Sequence, residues 1–140
     1  MKRLALALIS VLALLAAIAV AQEATLKKVP AKYAPPTNGE QVYTRYCGSC
    51  HGPDLKGNGP AAMAFKTPLP DLTTMAKRNN GEFNTQQVVQ IVNGTMETPG
   101  HGSKDMPVWG TVLPTVYENK TVANMAINNL VEFIRQKQVK

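Results

Sequence analysis

The chain has 140 residues, 44% of them hydrophobic, and a formal net charge of +6. That length supports one domain. The positive balance is too weak and too scattered for nucleic acid, because no Lys/Arg-rich run and no interleaved aromatics accompany it.

Residues 1–21 read as a signal peptide. Lys2 and Arg3 form a basic start, Leu4 to Val20 is apolar except for Ser10, and Ala19-Val20-Ala21 has the small-x-small form of a cleavage site. Export to the periplasm is expected. Loss of Lys2 and Arg3 would take the formal charge from +6 to +4. The apolar run also lies near the lower limit for a membrane span, roughly 17 residues. A retained N-terminal anchor is therefore the alternative. Residues 22–37 read as a flexible linker, with Lys27, Lys28, Pro30, Pro35 and Pro36 and no amphipathic period. Residues 38–140 read as the folded domain.

A first helix is expected from Thr37 or Asn38, where Thr37-x-x-Glu40 has capping-box form. Val42 and Tyr46 lie four apart on one face, with Tyr43 beside them. Tyr43 and Tyr46 read as core packing rather than redox relays. The helix runs into Cys47-Gly48-Ser49-Cys50-His51 and ends near Gly48. C-x-x-C-H is the pattern of covalent haem attachment in an exported protein. The thiols are spaced for the two vinyl groups of one haem, and His51 can reach the iron from the same side. These are the only two cysteines. A thioredoxin-type disulfide would need the pair to open a helix, and here it closes one. A zinc site would need more thiolate than His101 can replace.

A glycine-rich loop follows through Gly57-Asn58-Gly59-Pro60. It lacks the lysine-serine pair of a phosphate loop, and its glycines are expected to turn backbone tightly against a haem face. Ala61 to Phe65 reads as a short helical turn and Lys66 to Pro70 as extended. Asp71 should cap a short helix from Leu72 to Lys77 or Arg78. Asn84 or Thr85 should cap another, with Val88, Val89, Ile91 and Val92 as its stripe and Gly94 as its end. Thr95 to Gly110 reads as an irregular loop broken by prolines and glycines. The last helix is expected from a Thr121 cap to about Gln136, with Ala123, Ile127, Leu130 and Ile134 on its buried face. Strand signals are poor, and the fold class is all-α.

The second axial position of the iron would decide between electron transfer and ligand chemistry. His101, Met96 and Met106 are the candidates in the irregular segment. Met63, Met75 and Met125 read as core filler. Met106 is favoured, because Pro107 stiffens the backbone behind it and Trp109 supplies a packing ring. Trp109 and Arg78 are candidates for contact with the haem propionates.

At these residues the chain resembles the class I cytochrome c family in its small bacterial monohaem form. The match runs from about Asn38 to Gln138. It rests on Tyr46 to Gly52, Gly57-Asn58-Gly59-Pro60, Pro70-Asp71-Leu72-Thr73, Met106-Pro107-Val108-Trp109-Gly110 and the closing amphipathic helix. The resemblance implies a cytochrome c fold, with the first and last helices crossing beside one haem c. It implies thioether bonds at Cys47 and Cys50, with His51 as proximal and Met106 as distal iron ligand. The expected role is single-electron transfer between protein redox partners, such as a dehydrogenase, an oxidase or another cytochrome. It is not enzymatic, and the membrane is involved only through a retained anchor. The rivals are a c-type haem peroxidase or gas sensor with a labile sixth ligand, and a haem subunit docked permanently in a dehydrogenase or oxidase complex.

Overall fold

Asn38, rather than Thr37, opens the first helix: its side-chain oxygen accepts from the Gln41 N–H at 3.0 Å. The computed structural model describes residues 33–96 and 106–139. The signal peptide, most of the linker, and His101 lie outside the described residues. Among those residues there are helices and loops and no strand, the all-α class expected.

Helix α1 (Gly39–Tyr46) buries Val42, Tyr43 and Tyr46. Cys47 interrupts the helix, and α2 (Gly48–His51) resumes at once. A 3-10 turn spans Ala62–Ala64. A second one, Leu72–Thr74, runs into α3 (Met75–Arg78). Asp71 caps this unit as expected, its carboxylate accepting from the Thr73 N–H at 2.8 Å and hydroxyl at 2.6 Å. The Thr73 hydroxyl bond is the main reason the Asp71 carboxyl is held below its ordinary value. Helix α4 (Thr85–Asn93) takes Asn84 as cap and ends at left-handed Gly94. Helix α6 (Lys120–Gln136) is capped by Asn119 rather than Thr121. The Asn119 side chain accepts from the N–H groups of Thr121 and Val122.

Helix α5 (Trp109–Tyr117) was not legible in the sequence. Pro107 and Gly110 read there as breakers, and Pro114 lies inside the helix. Burial of Leu113 and Tyr117 outweighs them, since tertiary packing overrides local propensity. Gly110 serves close approach instead: a Cβ there would stand 2.8 Å from the Asn93 carbonyl oxygen of α4.

The core is built around α6. Ala123, Ala126, Ile127, Leu130, Val131 and Ile134 are buried along it, and α1, α4 and α5 pack on it. The crossing with α1 is tight. A Cβ on Gly39 would fall on the Asn129 carbonyl, 2.6 Å from its carbon and 3.0 Å from Phe133 Cβ. Tyr43 and Phe133 meet beyond it with ring centroids 5.4 Å apart. Residues 33–36, read as linker, are held against this core. Ala34 is buried, Tyr117 donates to its carbonyl at 2.7 Å, and Asn129 donates to the Pro36 carbonyl at 2.9 Å. At the other end, the Gln138 side chain accepts from Ala76 N–H at 2.9 Å and donates to the Leu72 carbonyl at 2.8 Å. The C-terminus thus clamps the 72–78 segment.

Two buried phenols tie these parts together and set an alkaline limit. Tyr43 donates to the Gly52 carbonyl at 2.6 Å, and Tyr117 to Ala34. Burial, ahead of any neighbouring charge, raises both hydroxyls above their ordinary value of 10.0. The folded chain keeps protons that the unfolded chain releases. Their contribution is therefore complete below about pH 10 and is lost as pH rises beyond it. Urea midpoints should hold level up to about pH 10 and then fall. In the Tyr43→Phe/Tyr117→Phe double variant that fall should flatten.

Candidate functional site

The turn from α1 into α2 places two thiols and an imidazole together. The Cys47 carbonyl accepts from Cys50 N–H at 3.1 Å and His51 N–H at 2.9 Å, so one short helix carries Cys50 and His51 as a unit. Its exposed carbonyl end would otherwise be unsatisfied. The glycine loop satisfies it: Ala61, Gly59 and Gly57 N–H groups donate to Ser49, Cys50 and His51 carbonyls at 2.8, 3.1 and 2.8 Å. A Cβ on Gly59 would stand 2.7 Å from the Cys50 carbonyl oxygen. The loop is packed on the backbone of the cysteine-histidine helix, as a splint.

That helix forms one wall of a cavity of about 200 Å³. A single water needs only about 10–15 Å³ by the same kind of measure, so this is space for a large group in an interior that is otherwise close-packed. Cys47, Cys50, His51 and Met106 all line it. Leu130 and Ile134 of α6 line it, and so do Val88, Ile91 and Val92 of α4. His51 is buried at 8% exposure. Trp109 and Tyr46 line the cavity together, ring centroids 5.4 Å apart.

Phe65, Leu69, Leu72 and Met75 complete the lining and were not anticipated there. Their spacing of four, three and three residues is a helical signal. Pro68 and Pro70 break the helix that would have made it readable. Met75 matters because it puts a second methionine in the cavity beside Met106. The other described methionines lie elsewhere: Met63, Met96 and Met125 are exposed and do not line it. Arg78, a candidate for propionate contact, donates to the Asp71 carbonyl at 2.9 Å and to the Thr74 hydroxyl.

The surroundings of Cys47 weigh against a disulfide exchanger. Burial, with Cys50 adding to it, pushes the Cys47 thiol up to about 12. It is a thiol and not a thiolate at neutral pH, and so a poor nucleophile for disulfide exchange. Beyond His51 and the two cysteines, the lining among the described residues is mostly carbon, with the Ser49 and Tyr46 hydroxyls, the Trp109 indole and two methionine sulfurs, and no further thiolate or imidazole to complete a zinc site. An apolar planar macrocycle that bonds two thiols and presents iron to an imidazole fits this set.

A family model described as cytochrome c matches residues 36–138. The chain belongs to the cytochrome c family. Its described helices have the family's all-α form, and membership makes it a haem-binding electron-transfer protein whose haem c is bound covalently. No curated protein and no solved structure matches this cytochrome c.

Proposed function

We propose that this cytochrome c is a periplasmic, monohaem carrier of single electrons, with His51 and Met106 as axial ligands and Cys47 and Cys50 as the thioether attachments. The observation that carries the reading is the meeting of all four side chains at one apolar cavity. When bound, the haem supplies an iron that alternates between ferric and ferrous. Cys47 and Cys50 fix its position. His51 is buried in the wall from which it would ligate. As a ligand the Met106 sulfur would favour the ferrous state, and the carbon lining of α4 and α6 would act in the same direction by disfavouring added positive charge. The apolar lining would also disfavour water at the metal. Met106 is preferred to Met75 because it sits in a bend outside the described helices and could adapt to a metal, whereas Met75 opens α3 and packs against the core.

Export rests on residues 1–21, whose signal-peptide form also leaves room for a retained anchor. Protein redox partners with an acidic face would suit the chain's positive charge, through Lys56, Lys66 or Lys77.

Met106→Ala tests the ligation. The variant should keep its covalent haem, acquire carbon monoxide binding that the parent lacks, and show a lower potential. Met75→Leu should leave the absorption spectrum and potential unchanged. If Met106→Ala stays six-coordinate and Met75→Leu opens the iron instead, the ligand is Met75. A parent protein that itself binds carbon monoxide readily would move the reading to a peroxidase or gas sensor.

A further inference from the structure

The cavity wall that carries Leu72 and Met75 is made of elements too short to hold themselves. The 3-10 turn Leu72–Thr74 has three residues and α3 has four, and isolated helices of that length do not persist in water. The Leu55 carbonyl accepts from the Leu72 N–H at 2.8 Å. The other bonds that tie this wall to a distant part of the chain, among the described residues, come from just beyond the end of α6. The Gln138 side-chain oxygen accepts from the Ala76 N–H at 2.9 Å, and its nitrogen donates to the Leu72 carbonyl at 2.8 Å and to the Ile134 carbonyl at 2.9 Å. A primary amide offers one carbonyl and two N–H groups, and here each one is used. The Ala76 N–H is a donor that the start of α3 leaves without a helical partner, and the Ile134 carbonyl lies in the last turn of α6. Val139 N–H adds a bond to the Thr73 carbonyl at 2.9 Å. Leu72, Met75 and Ile134 all line the cavity, and Gln138 does not. Two of the three groups that Gln138 bonds therefore belong to lining residues, and the third, Ala76, follows one.

We propose that Gln138 is a positioning residue for the haem site: its amide closes the seam between the Leu72–Met75 wall and Ile134, which keeps water from the bound haem and holds its potential up. This rests on the reading above, that the cavity holds the haem. Ferric iron carries one more positive charge than ferrous iron. Water at the seam would solvate that charge, whereas a closed apolar wall disfavours it, and burial is one of the levers by which a protein sets a haem potential. Gln138 acts through Leu72, Met75 and Ile134, with no contact of its own with the cavity. The role requires an amide. An ionised carboxylate only accepts, so glutamate would keep the Ala76 bond and set its second oxygen against the Leu72 and Ile134 carbonyls. Methionine would fill similar space and make none of the three bonds.

The test compares the holoprotein with its Gln138→Glu, Gln138→Met and Gln136→Glu variants by redox titration, absorption spectroscopy and amide hydrogen exchange. The Gln136 side chain bonds Glu132 on the surface at 2.9 Å, so Gln136→Glu repeats the change of charge near the same helix end without touching the wall. Both Gln138 variants should shift the ferric–ferrous equilibrium several-fold toward ferric, and Gln136→Glu should leave it at the parent value. The amides from Leu72 to Arg78 should exchange several-fold faster in the Gln138 variants alone. Their absorption spectra should remain those of the parent, because His51 and Met106 are untouched, and this separates an opened seam from a lost ligand. A parent potential in Gln138→Met, with those amides exchanging faster and covalent haem present, overturns the positioning role and leaves the haem reading standing. Equal shifts in Gln138→Glu and Gln136→Glu, with Gln138→Met at the parent value, reduce the effect to charge and also overturn it. Failure of both Gln138 variants to load haem while Gln136→Glu loads normally means that Gln138 serves the fold as a whole, which overturns it again. A parent without covalent haem overturns the reading beneath it and the positioning role together.

Discussion

Cys47→Ala/Cys50→Ala chain, exported without covalent haem, should lose about 5 kcal/mol relative to the holoprotein, taking the residual-cavity cost of about 24 cal/mol per Å³. The volume that enters this figure is the cavity of about 200 Å³ bounded by α2, α4 and α6. Leu130 and Ile134, the residues on which the other helices converge, line it directly. With the haem absent they face water or void. A loss of that size is comparable to the whole stability of an ordinary domain, about 5–15 kcal/mol. The melting temperature should therefore fall by roughly 20 °C or more, and the transition should broaden. Circular dichroism melts of parent and variant measure it. A variant that melts as cooperatively and as high as the holoprotein would mean that the polypeptide closes the cavity unaided.

Gly39→Ala should cost about 3 kcal/mol, at the upper end for forced overpacking. Local propensity argues the other way, since replacing glycine by alanine in a helix gains up to about 1 kcal/mol. The structure decides between them. The new Cβ would sit 2.6 Å from the Asn129 carbonyl carbon and 3.0 Å from Phe133 Cβ. The first obstacle is backbone in the middle of α6 and cannot rotate away. Helix α1 would have to lift, disturbing Tyr43 on Phe133 and the Asn129 bond to the Pro36 carbonyl. Because α1 leads directly into Cys47, the yield of haem-loaded protein should drop as well. Urea denaturation of the holoprotein gives the stability change. A variant as stable as the parent would show that the two helices tolerate a wider crossing.

Which features could be read in advance follows from the range of the forces behind them. The C-x-x-C-H run is local chemistry, five consecutive residues whose spacing alone states what they can bond. The stripes of α4 and α6, the Asp71 cap and the end of α4 at Gly94 are also local, set by periodicity and by backbone groups within a few residues. The all-α class and the family followed from these pieces in order.

Other features depended on partners distant in sequence. Gly39 is an unremarkable glycine until Asn129 lies across it. Pro107 and Gly110 read as breakers until burial of Leu113 and Tyr117 supplies the reason for α5. Phe65, Leu69, Leu72 and Met75 share a wall that two prolines concealed. Residues 33–36 read as linker because their anchors, Tyr117 and Asn129, lie more than eighty residues away. The sequence by itself determined the attachment motif, the helical stripes and the family. Only the tertiary structure decided how closely the helices cross, which methionines reach the cavity and where the aromatic rings line up, because those depend on contacts between segments that no local pattern records.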